Sequence, residues 1–404
     1  MIRHLLRLVW NRKRSNALLT LEIFFSFLVV FAVGTAVSFA AMAYRRPLGF
    51  AWQNVWAVSA DDQGNHDRIG GPGDARVDPR AAVIERMLGE ARSLPEVEAA
   101  ASMAIAPFAN GSMVSAWTEN GREVSSEVAT TTQDLDRVLG IQVVSGRWFE
   151  PADAAQPWHS VVINRSLERA LGGGESMVGK RLRTPDETET EDRVVGVVED
   201  FRRSGEIAPP GNIFIRLMRE GHPEDVPGGN LLLKMRPGTP AAFEETLVRR
   251  LHGIAPDWSF ESKPLEQARD SALRSRLAPF AVGVLVAGFL MLMVALGLLG
   301  VLWQNLVRRT REIGLRRAVG ASAADVRRQV LFEQLLLASL AMALGLVLVL
   351  QLPLLGLTSL VGTAPYLAGV GTAIVVILTL TLLCSLYPAA LAARLEPADA
   401  LRYE

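Results

Sequence analysis

Charged side chains are missing from three long stretches of the chain: Ile23–Tyr44, Leu277–Val307 and the 60 residues from Gln334 to Ala393. About 20 apolar residues cross roughly 30 Å of hydrocarbon as a helix, so each of the first two stretches predicts one span. The third holds two, because Pro353, Gly356, Gly362 and Pro365 supply turn residues for a short connection, 353–365, in its middle. The expected transmembrane helices are 17–44, 277–304, 330–352 and 366–391. Segment 45–276 has a different rhythm. Trp52–Ala60 alternates like a strand, Arg80–Leu94 is spaced like a helix with Val83, Met87 and Leu88 on one face, and Val97–Ala106 is a strand again. Asn230–Arg236, Pro240–His252 and Trp258–Lys263 repeat the order strand, helix, strand. These two β-α-β units can share one sheet with helices on one face. Met113–Glu119, Glu123–Thr130, Ser160–Asn164, Arg193–Asp200 and Asn212–Leu217 read as strands, with short helices near 132–139 and 164–171. They predict a strand-rich subdomain, 112–220, inserted between the units. Asp61–Pro79 reads as a polar, glycine-rich loop and Thr184–Asp192 as the acidic loop of a hairpin.

Charge adds orientation. The 42 Lys and Arg balance 42 Asp and Glu, but 45–276 holds 28 basic and 35 acidic residues while the remaining 172 residues hold 14 and 7. Residues 1–16 carry five basic side chains (Arg3, Arg7, Arg12, Lys13, Arg14) and 305–329 carries seven, whereas 353–365 carries none. The positive-inside rule places 1–16, 305–329 and the tail 392–404 in the cytoplasm and 45–276 outside. Tyr44, Trp52, Trp56 and Trp303 suit the two interfaces. Ala41-Met42-Ala43 resembles a signal cleavage site, but the apolar run before it exceeds the 7–15 residues of a signal's core. The expected fold class is therefore an α-helical membrane protein with four transmembrane helices plus a large α+β extracytoplasmic domain. At 50% hydrophobic and 21% charged residues the chain is neither a soluble enzyme nor disordered. Cys384 is the single cysteine, so no intrachain disulfide forms and the large domain depends on its own core.

Catalytic chemistry finds no foothold. Gly174-Glu-Ser-Met-Val-Gly179-Lys180 approaches the phosphate-binding G-x-x-x-x-G-K-[ST], but Arg181 stands where a hydroxyl should meet Mg²⁺, and the segment precedes a strand instead of opening a long helix. A nucleotide-dependent enzyme built on this loop is the weakest of three function classes. His4, His66, His159, His222 and His252 are scattered without metal-ligand spacing, and no G-x-S-x-G occurs. Asp61/Asp62 and Glu199/Asp200 are paired acids in loop contexts. No catalytic residue, cofactor, metal or nucleic-acid partner is expected. Spans two to four contain no charge, which argues against a polar conduit. The acids Glu22 and Glu333 sit at span edges, at headgroup level or within reach of Arg327 and Arg328. Ala32/Ala36/Ala40, Gly283/Ala287 and Ala341/Gly345 have the small-xxx-small spacing that lets helices approach.

Segment 305–329, NLVRRTREIGLRRAVGASAADVRRQ, is the most structured polar stretch. Residues 307–319 predict a short interfacial helix, ended by Gly320, and Ser322-Ala-Ala-Asp325 predicts a capping box opening span three. Such an elbow can serve as a docking surface for an intracellular partner, or its arginines can merely hold the loop to anionic lipid.

Arg311–Ser322 (REIGLRRAVGAS) resembles the coupling-helix motif of FtsX-like, MacB-type permeases. Phe332-Glu333-Gln334 and the closing run from Pro388-Ala389-Ala390 through Leu395–Glu404 are similar to further patterns of that family. Ser145–Phe149, Val161–Asn164, Val178–Arg181 and Val194–Val198 resemble its periplasmic core domain. The resemblance implies an ABC permease subunit of type VII in a bacterial inner membrane, working as a homo- or heterodimer with separate ATPase subunits. Arg311, Glu312, Ile313, Gly314, Leu315, Arg316, Arg317 and Gly320 would then contact the ATPase. MacB carries its ATPase domain before span one, whereas sixteen residues precede it here, so ATP hydrolysis is expected in another protein. The implied action is to transmit ATP-driven motion to the outer domain for export, with a periplasmic adaptor as a further partner. The alternative is a non-transporting regulator of an extracytoplasmic enzyme, or a subunit sensing an antimicrobial. The topology predicts that a cysteine introduced into 305–329 is labelled only after the membrane is permeabilised, and one in 45–276 in intact cells. Labelling of the loop from outside would sink this orientation.

Overall fold

The computed structural model describes residues 13–62, 80–119, 122–182, 191–208, 211–219, 229–356, 358 and 361–394. The chain forms two compact units, Met1–Met42 with Arg276–Glu404, and Ala43–Ser275.

The first unit is helical. Its elements are α1 (Lys13–Tyr44), most of α6 (Leu265–Ala318), α7 (Ala323–Val349) and α8 (Thr363–Arg394), each long and apolar enough to cross a membrane. Ile23, Phe27, Phe31, Val294, Leu298, Ala338, Ala341, Ala373 and Ile377 form its core. Glycine permits the closest approaches: a Cβ on Gly345 would lie 2.5 Å from the Phe27 ring. Ala341 is fully buried one turn earlier, so the Ala341/Gly345 ladder is a real contact strip. Between α7 and α8 a 3₁₀ turn, Leu352–Leu355, is closed by Gly356 at φ 81°, and Pro365 falls in the first turn of α8. The Tyr366 hydroxyl donates to the Val349 carbonyl at 2.7 Å, satisfying one orphan acceptor at the end of α7.

The second unit is built on an 11-stranded sheet in which β11-β1-β10-β2-β4-β9-β6-β8-β5 run side by side. The strands are β1 (Val55–Asp61), β2 (Val97–Met103), β3 (Met113–Glu119), β4 (Arg122–Thr131), β5 (Val143–Gly146), β6 (His159–Asn164), β7 (Arg181–Leu182), β8 (Asp192–Val198), β9 (Ile213–Leu217), β10 (Asn230–Met235) and β11 (Ser259–Pro264). The two β-α-β units interleave. β10 lies antiparallel between β1 and β2, and β1 lies antiparallel between β10 and β11. Their helices, α2 (Arg80–Ser93) and α5 (Phe243–Ile254), bury Ile84, Met87, Leu88, Leu247 and Leu251 in one cluster. Val83, expected on the buried face, is only partly buried, and Ile84 takes that place.

The inserted strands do not form a separate sheet. They continue the same one, joined through the single pair Met103↔Thr131. They keep a core of their own around Trp117, Ile163, Leu167, Val197 and Phe214, in which the Trp117 and Phe214 rings stack at 4.0 Å. The short helices are α3 (Leu135–Leu139) and α4 (Arg165–Gly172). Strand β5 has no counterpart in the sequence pattern, since it is largely exposed, whereas the two-residue β7 is the strand expected after Lys180. Most of the 61–79 loop and of the 184–192 acidic stretch lies outside the described residues, as do 1–12 and the closing run 395–404.

Asp153 fastens the corner between β5 and β6. Its carboxylate accepts from Arg147 Nη1 and Nη2 at 2.6 and 2.8 Å, from the Glu150 N–H at 2.8 Å and from Ser160 Oγ at 3.0 Å. Burial opposes ionisation, yet these donors outweigh it and hold the carboxyl below the usual aspartate range. A depressed folded-state pKa gives stability that is complete above the unfolded value, about 3.9, and lost as pH falls through the folded one. Asp153→Asn should therefore lower stability by roughly 1–3 kcal/mol at neutral pH, with the gap to the parent closing below about pH 4. Thermal unfolding of the full chain followed through tryptophan near-UV dichroism checks this; a pH-independent gap would contradict it.

Candidate functional site: the α6–α7 elbow and the ends of the long helices

Segment 305–329 forms an elbow, but not from a separate short helix. Residues 304–313 contain neither proline nor glycine, and α6 runs without interruption to Ala318. Arg311, Glu312, Ile313, Gly314, Leu315, Arg316 and Arg317 are all in the last turns of α6. Among these the described residues include the side chain of Leu315 alone, and it is 57% exposed. Trp303 and Val307 are exposed too; at 3.6 residues per turn Val307 lies about 40° round the helix from Trp303 and about 80° from Leu315, so the three are spread over about a third of its circumference. Gly320 ends the elbow's first arm at φ 107°, with open space where a Cβ would be, so backbone conformation rather than crowding selects glycine. Ser322 then caps α7: its Oγ accepts from the Asp325 N–H at 3.2 Å, and its own N–H donates to Asp325 Oδ2 at 3.1 Å. The expected capping box is present.

Of the two span-edge acids, Glu333 is 7% exposed, next to buried Gln334. Arg328 lies over the Phe332 ring at 5.4 Å. Glu22 lies against α6, where a Cβ on Gly297 would come within 2.6 Å of its Oε2, so the absent side chain makes room for the carboxyl.

The phosphate-loop look-alike has no free cradle. It follows α4 and feeds β7, the Gly179 N–H donates to the Val194 carbonyl at 2.7 Å, and Lys180 Nζ pairs with Glu175 at 2.8 Å. Among the described residues no group of three or more His, Cys, Asp or Glu could hold a metal. Asp200 is structural: it accepts from Asn164 Nδ2, the Ser166 N–H and Oγ, and Arg169, and so fixes the start of α4.

A cluster that periodicity could not show lies in the second unit, around the last residues of α1 and the first turns of α6. Loop 201–208 (FRRSGEIA) carries Arg202, Arg203 and Glu206, which are 7%, 3% and 4% exposed. Arg202 Nη1 donates to the carbonyls of Ala43 and Glu206 at 3.0 and 2.9 Å. Burial, and after it the Arg46 charge, depresses the pKa of this guanidinium. Glu206 accepts from Arg269 Nε at 2.5 Å, and Arg269 lies over the Trp52 ring at 4.6 Å. The Asn54 N–H donates to Glu266 Oε1 at 2.9 Å. The available sequence signal is two arginines and a glutamate in an eight-residue loop, which fits a solvated turn equally well.

Comparison with known proteins agrees with this architecture. The FtsX-like permease C-terminal family matches residues 284–397, and the MacB-like periplasmic core domain family matches 17–249, more than half of the chain. The macrolide export ATP-binding/permease protein MacB of Bordetella avium is 25% identical over 82% of this chain and 51% of its own length. The pyoverdine export ATP-binding/permease protein PvdT of Pseudomonas syringae is 26% identical over 69% of this chain and 43% of its own. The chain thus spans about half the length of such curated relatives. The periplasmic region of MacB from Actinobacillus actinomycetemcomitans superposes with a TM-score of 0.39 at 13% identity, over 57% of this chain and 97% of that one. With residues 17–249 matched to one family and its last three long helices to the other, the chain belongs to the MacB-type, FtsX-like permeases.

Proposed function

We propose that this chain is the permease subunit of an ABC transporter of the MacB/FtsX type. It transmits the ATP-driven motion of a separate ATPase subunit to its extracytoplasmic domain, 45–276, for export or extrusion of a substrate. The observation that carries this reading is α6 itself, one helix from Leu265 to Ala318. Its first residue is fully buried in the core of the second unit and its last turns carry the coupling motif. Apart from the donor removed at Pro279, its backbone hydrogen bonds resist axial compression, so a push on one end is carried toward the other. The exposed apolar side chains Val307 and Leu315, beside the coupling motif, are available to a docking partner. Absence of charge from the interior of spans two to four favours movement of the helices over passage of polar cargo between them.

In this reading both termini and 305–329 are cytoplasmic, two permease subunits work with two ATPase subunits, and a periplasmic adaptor receives the exported compound. The relatives named for macrolide and pyoverdine export support export as the outcome.

Glu312→Lys or Gly314→Trp should abolish stimulation of the co-expressed ATPase, a loss of at least about tenfold, equivalent to about 1.4 kcal/mol of coupling. Membrane insertion should be unchanged. ATPase rates measured in proteoliposomes, with membrane fractions blotted in parallel, decide the matter; undiminished stimulation in both variants would rule out the docking role.

A further inference from the structure

From the cluster around loop 201–208 we infer that Arg202 and Arg203 form a two-way joint, which ties the end of α1 and the start of α6 to the 106–111 loop that leads into β3. Its purpose rests on the mechanical function above; its geometry does not.

Arg202 faces the segment that leaves α1. Besides the side-chain bond to the Ala43 carbonyl, its backbone N–H donates to the Leu48 carbonyl at 2.8 Å. Gly49, at φ 81°, lets the two strands of chain lie this close: a Cβ there would stand 2.5 Å from the Asp200 carbonyl oxygen and 2.9 Å from Phe201. Arg203 faces the other way. It donates to the carbonyls of Ala106 and Gly111 at 3.2 and 2.7 Å and pairs with Glu127 on β4. Its own carbonyl accepts from the Phe108 N–H at 2.8 Å. Phe108 has φ 65°, a conformation rare for a bulky residue, and its ring is buried against Phe50 at 5.5 Å. Such a backbone persists only where its surroundings impose it, and Arg203 supplies three of the bonds that do so.

Adjacent arginines therefore clamp two segments about 60 residues apart in sequence, Ala43–Phe50 and Ala106–Gly111. The return path is equally short. Arg269 on α6 holds Glu206, and the neighbouring Gly205, at φ 95°, stands where a Cβ would touch the Phe108 ring at 3.4 Å. A shift of Arg269 is passed to Glu206, whose carbonyl Arg202 holds, and along the same short loop to Arg203 and the 106–111 backbone it bonds. Both guanidiniums of the pair and the carboxylate are buried, so none can exchange its partner for water without a penalty. These residues act by positioning, through one another.

Hydrogen exchange on the full chain in lipid nanodiscs tests the joint, with the peptide 104–112 and the peptide 43–50 each read relative to β6, so that any global loss of stability cancels. Arg269→Met, away from 106–111 in the chain of contacts, should raise the exchange of 104–112 about tenfold. Glu127→Gln, on the opposite side, should raise that of 43–50, because coupling between two sites is reciprocal. Combining them should do no more at 104–112 than the stronger single change. Glu206→Gln should act in the same direction as Arg269→Met, with a smaller effect. Changes confined to each variant's own side, or effects that multiply in the double variant, would overturn the joint. Coupled exchange in a chain that fails to stimulate any ATPase would leave the joint standing and remove the mechanical function instead.

Discussion

A charge is too costly in hydrocarbon to be left there without a partner, and that single constraint divides this chain. Acids and bases are expelled from the middle of the helices and gathered in 45–276 and in the segments between spans. The division then dictates two kinds of core. In the helical unit, lipid removes most of the hydrophobic advantage of packing, so contact depends on fit, as where Gly345 admits the Phe27 ring and Ala341 lies flush beside it. In the sheet unit water surrounds the fold, and buried area drives it: α2 and α5 close over one face while Trp117, Phe214 and their neighbours fill the inserted half.

Glu22 and Glu333 show what the constraint allows. Both lie in helices long and apolar enough to span a membrane, and each is turned toward protein, Glu333 among buried residues and Glu22 into the space left by Gly297. On the mechanical reading proposed above, a movement imposed on the last turns of α6 reaches α1 where Glu22 packs against Gly297, as well as along the helix itself.

The elements of the fold are largely legible because each is written in a local period. Met113–Glu119 is the strand observed, Ser322 caps α7, and all four long helices stand where charge is missing. Pairing is not legible, because it is set by contacts distant in sequence. Nothing local shows that β10 inserts between β1 and β2, or that the inserted strands extend the same sheet through Met103 and Thr131. The end of α6 escapes the pattern for a related reason: a change from apolar to basic residues marks a change of solvent and not the end of a helix, and α6 continues through the arginines to Ala318, just short of Gly320 at φ 107°.

For the same physical reason the candidate site is only half visible in sequence. The motif Arg311–Gly320 is contiguous, so it can be read along the chain; the arginine joint is assembled from Ala43, Leu48, Ala106, Gly111, Glu127 and Arg269, which share no period and no neighbourhood in sequence. The clue that sequence does offer is cost. Burying two guanidiniums side by side is unfavourable unless every donor is directed at a fixed acceptor, and backbone carbonyls at the ends of helices and in tight loops are such acceptors. A double arginine in a short loop between two strongly apolar strands, β8 and β9, is thus a place to look for chain crossings held together from within. Because Ala43 of α1 and Arg269 of α6 both bond to this loop, a displacement of either helix end can reach the sheet through it, beside the direct run of chain from β11 into α6.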